Sequence, residues 1–234
     1  MFEAAINKKL KGLWIIGEDI VQTDPNSAHV VEAMNSLELL VVQEIFMSET
    51  AKLATVVLPG TTFLEKDGTF TNTERRIQRV NRAVPPLQGT KPDGVIVTDM
   101  MQKLGFDQPT YDADQMLKEI ADVVPFFKGV TRERLGKLGL QWPVQEDGTD
   151  TKILHSESFK LGKGRLKNFD WKESNEIETN KKEYPLILTT SRVLQHYNAA
   201  TMTRRTKNIN IVDEDVLLIH PKDAAYRDIN TGDI

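Results

Sequence analysis

Leu13-Trp14-Ile15-Ile16-Gly17-Glu18-Asp19, then Leu39-Leu40-Val41-Val42-Gln43-Glu44, then Thr55-Val56-Val57-Leu58-Pro59-Gly60, is the pattern that decides the fold. Each is a short apolar run without polar breaks, as expected of a strand covered on both faces, and each ends in polar or chain-breaking residues. Thr23-Asp24-Pro25-Asn26-Ser27 follows the first run as a cluster of turn and N-cap residues. From Ala28 the apolar positions Val30, Val31, Met34 and Leu37 recur at helical spacing. A short helix over Glu49 to Leu53 separates the second and third runs. Two β-α-β units in succession predict an open parallel sheet with helices on both faces.

Such sheets hold ligands outside the carboxyl ends of their strands. Gly17-Glu18-Asp19 and Gln43-Glu44 fall there, which suggests a nucleotide-type site. No G-x-G-x-x-G or G-x-x-x-x-G-K-[ST] motif supports it, and on position alone an ordinary capped loop is the better reading of these residues.

Further along, Asp93 to Gly105 carries Val95, Ile96, Val97, Met100, Met101 and Leu104, a helix packed on the sheet with Gly105 at its C-terminal cap. Asp114 to Phe127 is a second amphipathic helix, stopped near Pro125. Lys128 to Asn180 has no sustained period and reads as a connecting region, pinned by Trp142-Pro143 and Phe159. From Tyr184 the texture turns β-like. Leu186 to Thr190 and Val216 to Ile219 are predicted strands, Asp223-Ala224-Ala225 opens a short helix, and Asp228 to Asp233 makes a turn that should feed a strand at Ile234. A turn with no following strand leaves sheet groups unpaired, so the expectation is a piece of a longer chain. The boundaries so drawn are 1–127 (α/β), 128–183 (connecting) and 184–234 (β).

Composition limits the chemistry. The 234 residues are enough to bury about 70–75% of the unfolded surface in one large or two small domains. With Lys plus Arg at 30 and Asp plus Glu at 34 the net charge is −4, so no overall positive field draws the chain to nucleic acid or anionic lipid. There is no cysteine. Disulfides, Cys-ligated zinc, a cluster ligated by this chain and a thiol nucleophile are therefore excluded. No apolar run approaches the ~20 residues that span a bilayer. With no signal peptide visible, a cytoplasmic setting is the default.

Three constellations have competing readings. Glu65-Lys66-Asp67-Gly68-Thr69-Phe70-Thr71-Asn72-Thr73-Glu74-Arg75-Arg76, with Gln78, Arg79 and Arg82 behind it, reads as a loop. It either grips phosphates through Lys66 and the arginines, or is a solvated charged turn with Glu74 paired to its neighbours. Arg192, Arg204, Arg205 and Lys207 form a basic cluster, but only Tyr197 is near it, too few aromatics for a nucleic-acid surface. His196, after the expected strand end, could do acid/base work, but a lone histidine is more often a surface or hydrogen-bonded structural residue, and His29, His155 and His220 are too scattered for a metal site.

Taken in order, LWIIGED (13–19), LVVQEIFMSET (40–50), ATVVLPGTTFLEKDGTFTNTERRIQR (54–79), LGLQWP (138–143), LILTTSRVLQHYNAATMTRR (186–205) and the HPKDAA and NTGD of 219–233 resemble the molybdopterin oxidoreductase family. Within it they are most similar to the catalytic alpha subunit of molybdenum- or tungsten-dependent formate dehydrogenases. Asn198-Ala199-Ala200 departs from the His-Thr-Gly run of nitrate reductases, which selects that branch, while Asp19 and Ser191 stand where many relatives have Asn and Gly.

The resemblance implies the C-terminal portion of such a subunit: part of a Rossmann-like dinucleotide-binding domain, then the start of a double-psi β-barrel. It implies a bis-pyranopterin guanine dinucleotide cofactor with molybdenum or tungsten. Asp19, Gln43, Glu44, Lys66 and Asp93 would line one nucleotide site. Thr190, Ser191, Arg192, Val193, Leu194, Gln195, His196, Tyr197, Asn198 and Ala199 would wrap the pterin dinucleotide, with Met202 and Thr203 behind. The family's metal-ligating cysteine or selenocysteine and its 4Fe-4S cysteines belong upstream, so no catalytic or metal-binding residue is expected in this chain. Implied partners are the rest of the catalytic subunit, an iron–sulfur or NAD/flavin-type electron-transfer subunit and a small-molecule substrate, formate. The alternative is a non-catalytic scaffold or electron-transfer subunit of a respiratory complex that keeps the fold.

Overall fold

A computed structural model describes residues 1–174 and 182–233. The chain divides into two compact units, Met1–Ser174 and Asn175–Ile234.

The first unit opens with α1 (Phe2–Ile6), β1 (Gly12–Ile16), α2 (Ile20–Thr23), α3 (Ser27–Asn35), β2 (Leu39–Glu44), α4 (Glu49–Lys52) and β3 (Val56–Pro59). The strands form a parallel sheet in the order β1-β2-β3, with Ile15 beside Val42 and Val42 beside Val57. Alternation along a strand puts Ile15, Leu40 and Val42 on one face. There they form a core with Val30, Ala33 and Met34 of α3, Ala5 of α1 and Ala51 of α4. Local chemistry sets the helix starts. The Asn26 side chain accepts the His29 N–H, and Ser48 Oγ accepts the Ala51 N–H. On the opposite face Ile16, Leu39 and Val56 remain about half exposed, so the covering expected on both faces is complete on one.

The second half of this unit holds β4 (Gly68–Thr71), β5 (Arg76–Val80), α5 (Asp93–Lys103), α6 (Ala113–Val123), α7 (Arg132–Leu135) and β6 (Leu140–Gln141). Here the structure corrects the sequence reading, because EKDGTFTNTERR is a hairpin rather than a charged loop. β4 and β5 pair antiparallel with Thr69 opposite Arg79 and Phe70 opposite Gln78. The turn forms because Asn72 Oδ1 accepts the N–H groups of Glu74 and Arg76, while Arg75 takes a left-handed φ of 65°. Ile77 explains why it is a sheet: fully buried, it anchors a second core with Leu117, Val130, Leu135 and Val144.

The stretch read as connecting therefore contributes structure of its own. β6 pairs with β5, and Trp142 lies 5.7 Å from Phe126. Arg75 ties the far side of this stretch: its guanidinium donates to the carbonyls of Trp142, Thr151 and Lys152 and covers the Trp142 ring at 5.6 Å. Phe159 is mostly exposed, and among the described residues its ring contact is with His155, so of the two expected pins Trp142 is the effective one.

The second unit, described by itself, contains two short 3-10 turns (Thr203–Arg205 and Lys207–Asn210) and α8 (Pro221–Tyr226), whose N-cap His220 accepts the Lys222 N–H through Nδ1. Leu186 to Thr190 and Val216 to Ile219 are not regular strands, contrary to expectation. Leu188 and Leu218 are 77% and 88% exposed, and no neighbouring strand among the described residues takes up the backbone groups of either segment. Apolar composition alone does not make a strand without a partner. The strand expected at Ile234 lies outside the described residues.

Candidate functional site

The carboxyl end of the parallel sheet gathers three of the five expected nucleotide-site residues of the first unit. Gly60, just past β3, pairs with Lys91 through an isolated parallel bridge, and Lys91 N–H donates to the Pro59 carbonyl at 3.1 Å. That bridge delivers Pro92 and Asp93 to the strand ends, with Asp93 as the first residue of α5, where a carboxylate is favoured by the helix dipole. Asp93 Oδ1 accepts from Gln43 Nε2 at 2.8 Å, and Oδ2 accepts from the Lys66 ammonium. Burial pushes the Asp93 carboxyl up, but the hydrogen bonds from Lys66 and Gln43 and the Lys66 charge outweigh it and hold it below the ordinary value.

Lys66 is held from its own side. Glu65 is buried and accepts from the Thr62 N–H and hydroxyl and from the Leu87 N–H, which depress its pKa. This capping box closes the N-terminal end of the Phe63–Glu65 turn, and Lys66 follows as its C-cap.

The other two expected residues are engaged elsewhere. Asp19 is buried, and its Oδ1 accepts both the N–H (2.9 Å) and hydroxyl (2.7 Å) of Thr50, stapling the end of β1 to the start of α4. Glu44 turns back on the chain and accepts the Ile45 N–H at 2.7 Å. In the second unit His196 is saturated: Nε2 meets the Val212 carbonyl at 2.7 Å and Nδ1 the Thr203 hydroxyl at 3.0 Å. Its ring orders the segment, since Thr203 Oγ1 also accepts the Tyr197 N–H, and Asn208 Nδ2 bonds the Gln195 carbonyl. Arg192 donates to Asn198, which is left-handed (φ 49°), as is buried Ala200 (φ 61°). Leu194, Tyr197 and Met202 are exposed. Thr190 to Ala199 is thus a loop held by internal bonds that leaves several side chains outward.

A cavity of about 240 Å³ opens beside the Lys66–Asp93 pair, between β4, the first turn of α5 and α6. Met116 and Leu117 are among its apolar lining residues, and Lys66, Asp67 and Asp93 among its charged ones. Sequence reading missed Tyr111 and Gly94, which line it too. The residues fit one end of a nucleotide. A carboxylate and an ammonium stand side by side, and Gln43 Oε1 and Thr61 Oγ1 are buried nearby without a hydrogen-bond partner among the described residues. No cluster of three or more metal-ligating His, Cys, Asp or Glu occurs among the described residues, and no described helix is long and apolar enough to cross a membrane.

Residues 1–103 match the molybdopterin oxidoreductase family model, and residues 186–234 match that of the molydopterin dinucleotide binding domain. The chain belongs to the molybdopterin oxidoreductase family. It is 43% identical over 231 residues to the F420-dependent formate dehydrogenase subunit alpha of Methanocaldococcus jannaschii, covering 97% of this chain and 34% of that protein. It is likewise 43% identical over 232 residues to the F420-dependent formate dehydrogenase 2 subunit alpha of Methanococcus maripaludis, with the same coverage. The chain thus spans about a third of the length of these curated relatives. Acetylene hydratase from Pelobacter acetylenicus shares the fold, at a TM-score of 0.71 and 22% identity over 99% of this chain and 34% of that one.

Proposed function

We propose that this chain is the cofactor-binding part of a formate dehydrogenase catalytic subunit carrying a molybdenum or tungsten bis-pyranopterin guanine dinucleotide. The observation that supports it most is the 43% identity, sustained over 97% of the chain, with a formate dehydrogenase alpha subunit. In this reading residues 1–127 belong to a Rossmann-like dinucleotide-binding domain, 128–183 connect, and 184–234 begin a double-psi β-barrel. When bound, the metal centre supplies the two-electron chemistry that converts formate to CO2.

What the chain's own residues do is bind and orient. Asp93 accepts hydrogen bonds from a guanine edge, and Lys66 balances both that carboxylate and ligand phosphate. Gln43 fixes the Asp93 rotamer from behind. Asp19 and Glu44 shape the neighbouring strand ends. Thr190 to Ala199, with Met202 and Thr203, offer the second unit's backbone and outward side chains to the dinucleotide. The partners in this reading are the remaining catalytic subunit, with its 4Fe-4S ligands, and an iron–sulfur or flavin-type electron-transfer subunit, in the cytoplasm.

The test is the native holoenzyme that contains this chain. Elemental analysis and mass spectrometry of the purified protein should find molybdenum or tungsten and a guanine dinucleotide, and formate should reduce a viologen dye. Absence of both metal and dinucleotide would overturn the reading.

A further inference from the structure

We infer that Tyr111 is a ligand-contacting residue of the Lys66–Asp93 cavity, and that Gly94 is glycine because only a residue without a side chain lets Tyr111 lie there. The inference rests on the nucleotide reading above and extends it to two residues that reading does not include.

The packing is explicit. A methyl group placed on Gly94 would stand 2.1 Å from Tyr111 Cε2, 2.4 Å from Cζ and 2.7 Å from Cδ2. The ring therefore lies directly on the first turn of α5, one residue from Asp93, and any side chain at position 94 displaces it. Gly94 costs helix stability relative to alanine, by about 0.5–1 kcal/mol in a helix interior. No positive φ requires glycine there, so the close approach of the ring is what requires it.

The hydroxyl is the second observation. Tyr111 makes no hydrogen bond among the described residues, although it lines the cavity in which Lys66 and Asp93 are paired with each other. Burial, together with the negative charges of Asp93 and Asp112, raises the phenol above its ordinary value, so it keeps its proton through the neutral range. A half-buried phenol that stays protonated and unpaired beside a carboxylate is a donor awaiting an acceptor. Asp93 supplies an acceptor and Lys66 a cation, so Tyr111 adds the neutral donor. An oxygen of the nucleotide, from ribose or phosphate, satisfies it, while the apolar lining from Met116 and Leu117 suits a flat base.

Equilibrium dialysis of the chain with GDP and with ADP tests this, using wild type, Tyr111→Phe, Tyr111→Ala and Gly94→Ala, each checked for an unchanged urea midpoint. Wild type should bind GDP in preference to ADP. Tyr111→Phe, which keeps the ring, should weaken GDP binding about three- to tenfold, as expected for one hydrogen bond. Gly94→Ala should weaken it further by displacing the whole side chain. If wild type binds GDP and Tyr111→Phe binds it equally well, this inference falls and the nucleotide reading stands. If Gly94→Ala binds as wild type, the seating role of Gly94 falls. If wild type binds neither nucleotide, or both alike, the guanine reading falls and takes this inference with it.

Discussion

Gln43 and Asp93, fifty residues apart, meet at the carboxyl end of the parallel sheet, where Gln43 Nε2 donates to Asp93 Oδ1 at 2.8 Å. Gln43 is 1% exposed. It cannot reach a ligand past Asp93 through that amide nitrogen, so it acts by fixing the carboxylate that lines the cavity.

Removing the carboxylate should therefore unsettle two partners at once. Asp93→Ala leaves the Gln43 amide buried without its acceptor and the Lys66 ammonium without its counter-charge. The expected loss is about 1–2 kcal/mol of unfolding free energy, limited by partial exposure of the ion pair. Urea unfolding of the chain measures it, and Lys66→Ala should cost less because Gln43 keeps its partner. Equal losses would show that the amide contact contributes nothing.

The pH dependence follows from the depressed Asp93 carboxyl. A group whose folded pKa is lowered contributes stability that is complete above its ordinary value, 3.8 here, and disappears as pH falls below that value and through the lowered one. Wild type should lose its advantage over Asp93→Asn progressively as pH falls below about 5, through 3.8 and on through the lowered value. Midpoints of urea unfolding across that range give the answer, and a constant gap between the two proteins would contradict it.

Gly129→Ala should damage the second core. A Cβ there would lie 1.6 Å from the Gln145 carbonyl oxygen and 3.0 Å from a Val144 methyl. Val144 is buried beside Ile77 and Leu135, so the backbone of 144–145 must move and loosen them. The expected cost is at least about 2 kcal/mol. Thermal unfolding should show it, with a midpoint several degrees lower than wild type.

Arg75→Ala removes three hydrogen bonds to main-chain carbonyls and the cover over Trp142. A loss of about 1–3 kcal/mol is expected. Because those carbonyls belong to residues 142, 151 and 152, limited proteolysis should cut the 145–152 segment faster in the variant. An unchanged cleavage pattern would mean that β6 and its pairing hold the segment unaided.

Legibility in the sequence followed the kind of force at work. The β-α-β units of residues 12–59 were readable because burial imposes periodic apolar runs, and their helices begin at capping residues with local partners such as Asn26 and Ser48. The β4–β5 hairpin was not readable. Its sequence is charged and hydroxyl-rich, and the one residue that makes it a sheet, Ile77, is buried by Leu117, Val130, Leu135 and Val144, none of them near in sequence. The opposite error occurred at 186–190 and 216–219, where β-type composition has no partner strand among the described residues. Of the candidate site, Lys66 and Asp93 were found by resemblance, whereas Tyr111 and Gly94 carried no signal, since a tyrosine seated on a helix glycine leaves no periodic trace.

The sequence by itself determined the class of the fold, the absence of sulfur chemistry and the family pattern, because these depend on composition and on short-range order along the chain. Which polar residues form a site was decided only by tertiary structure. Asp19 and Asp93 both stand beside the strand ends, yet one bonds Thr50 inside the fold and the other meets Lys66 at a cavity. That difference arises because desolvation and pairing are set by what lies across space from a carboxylate, not by what precedes it in the chain.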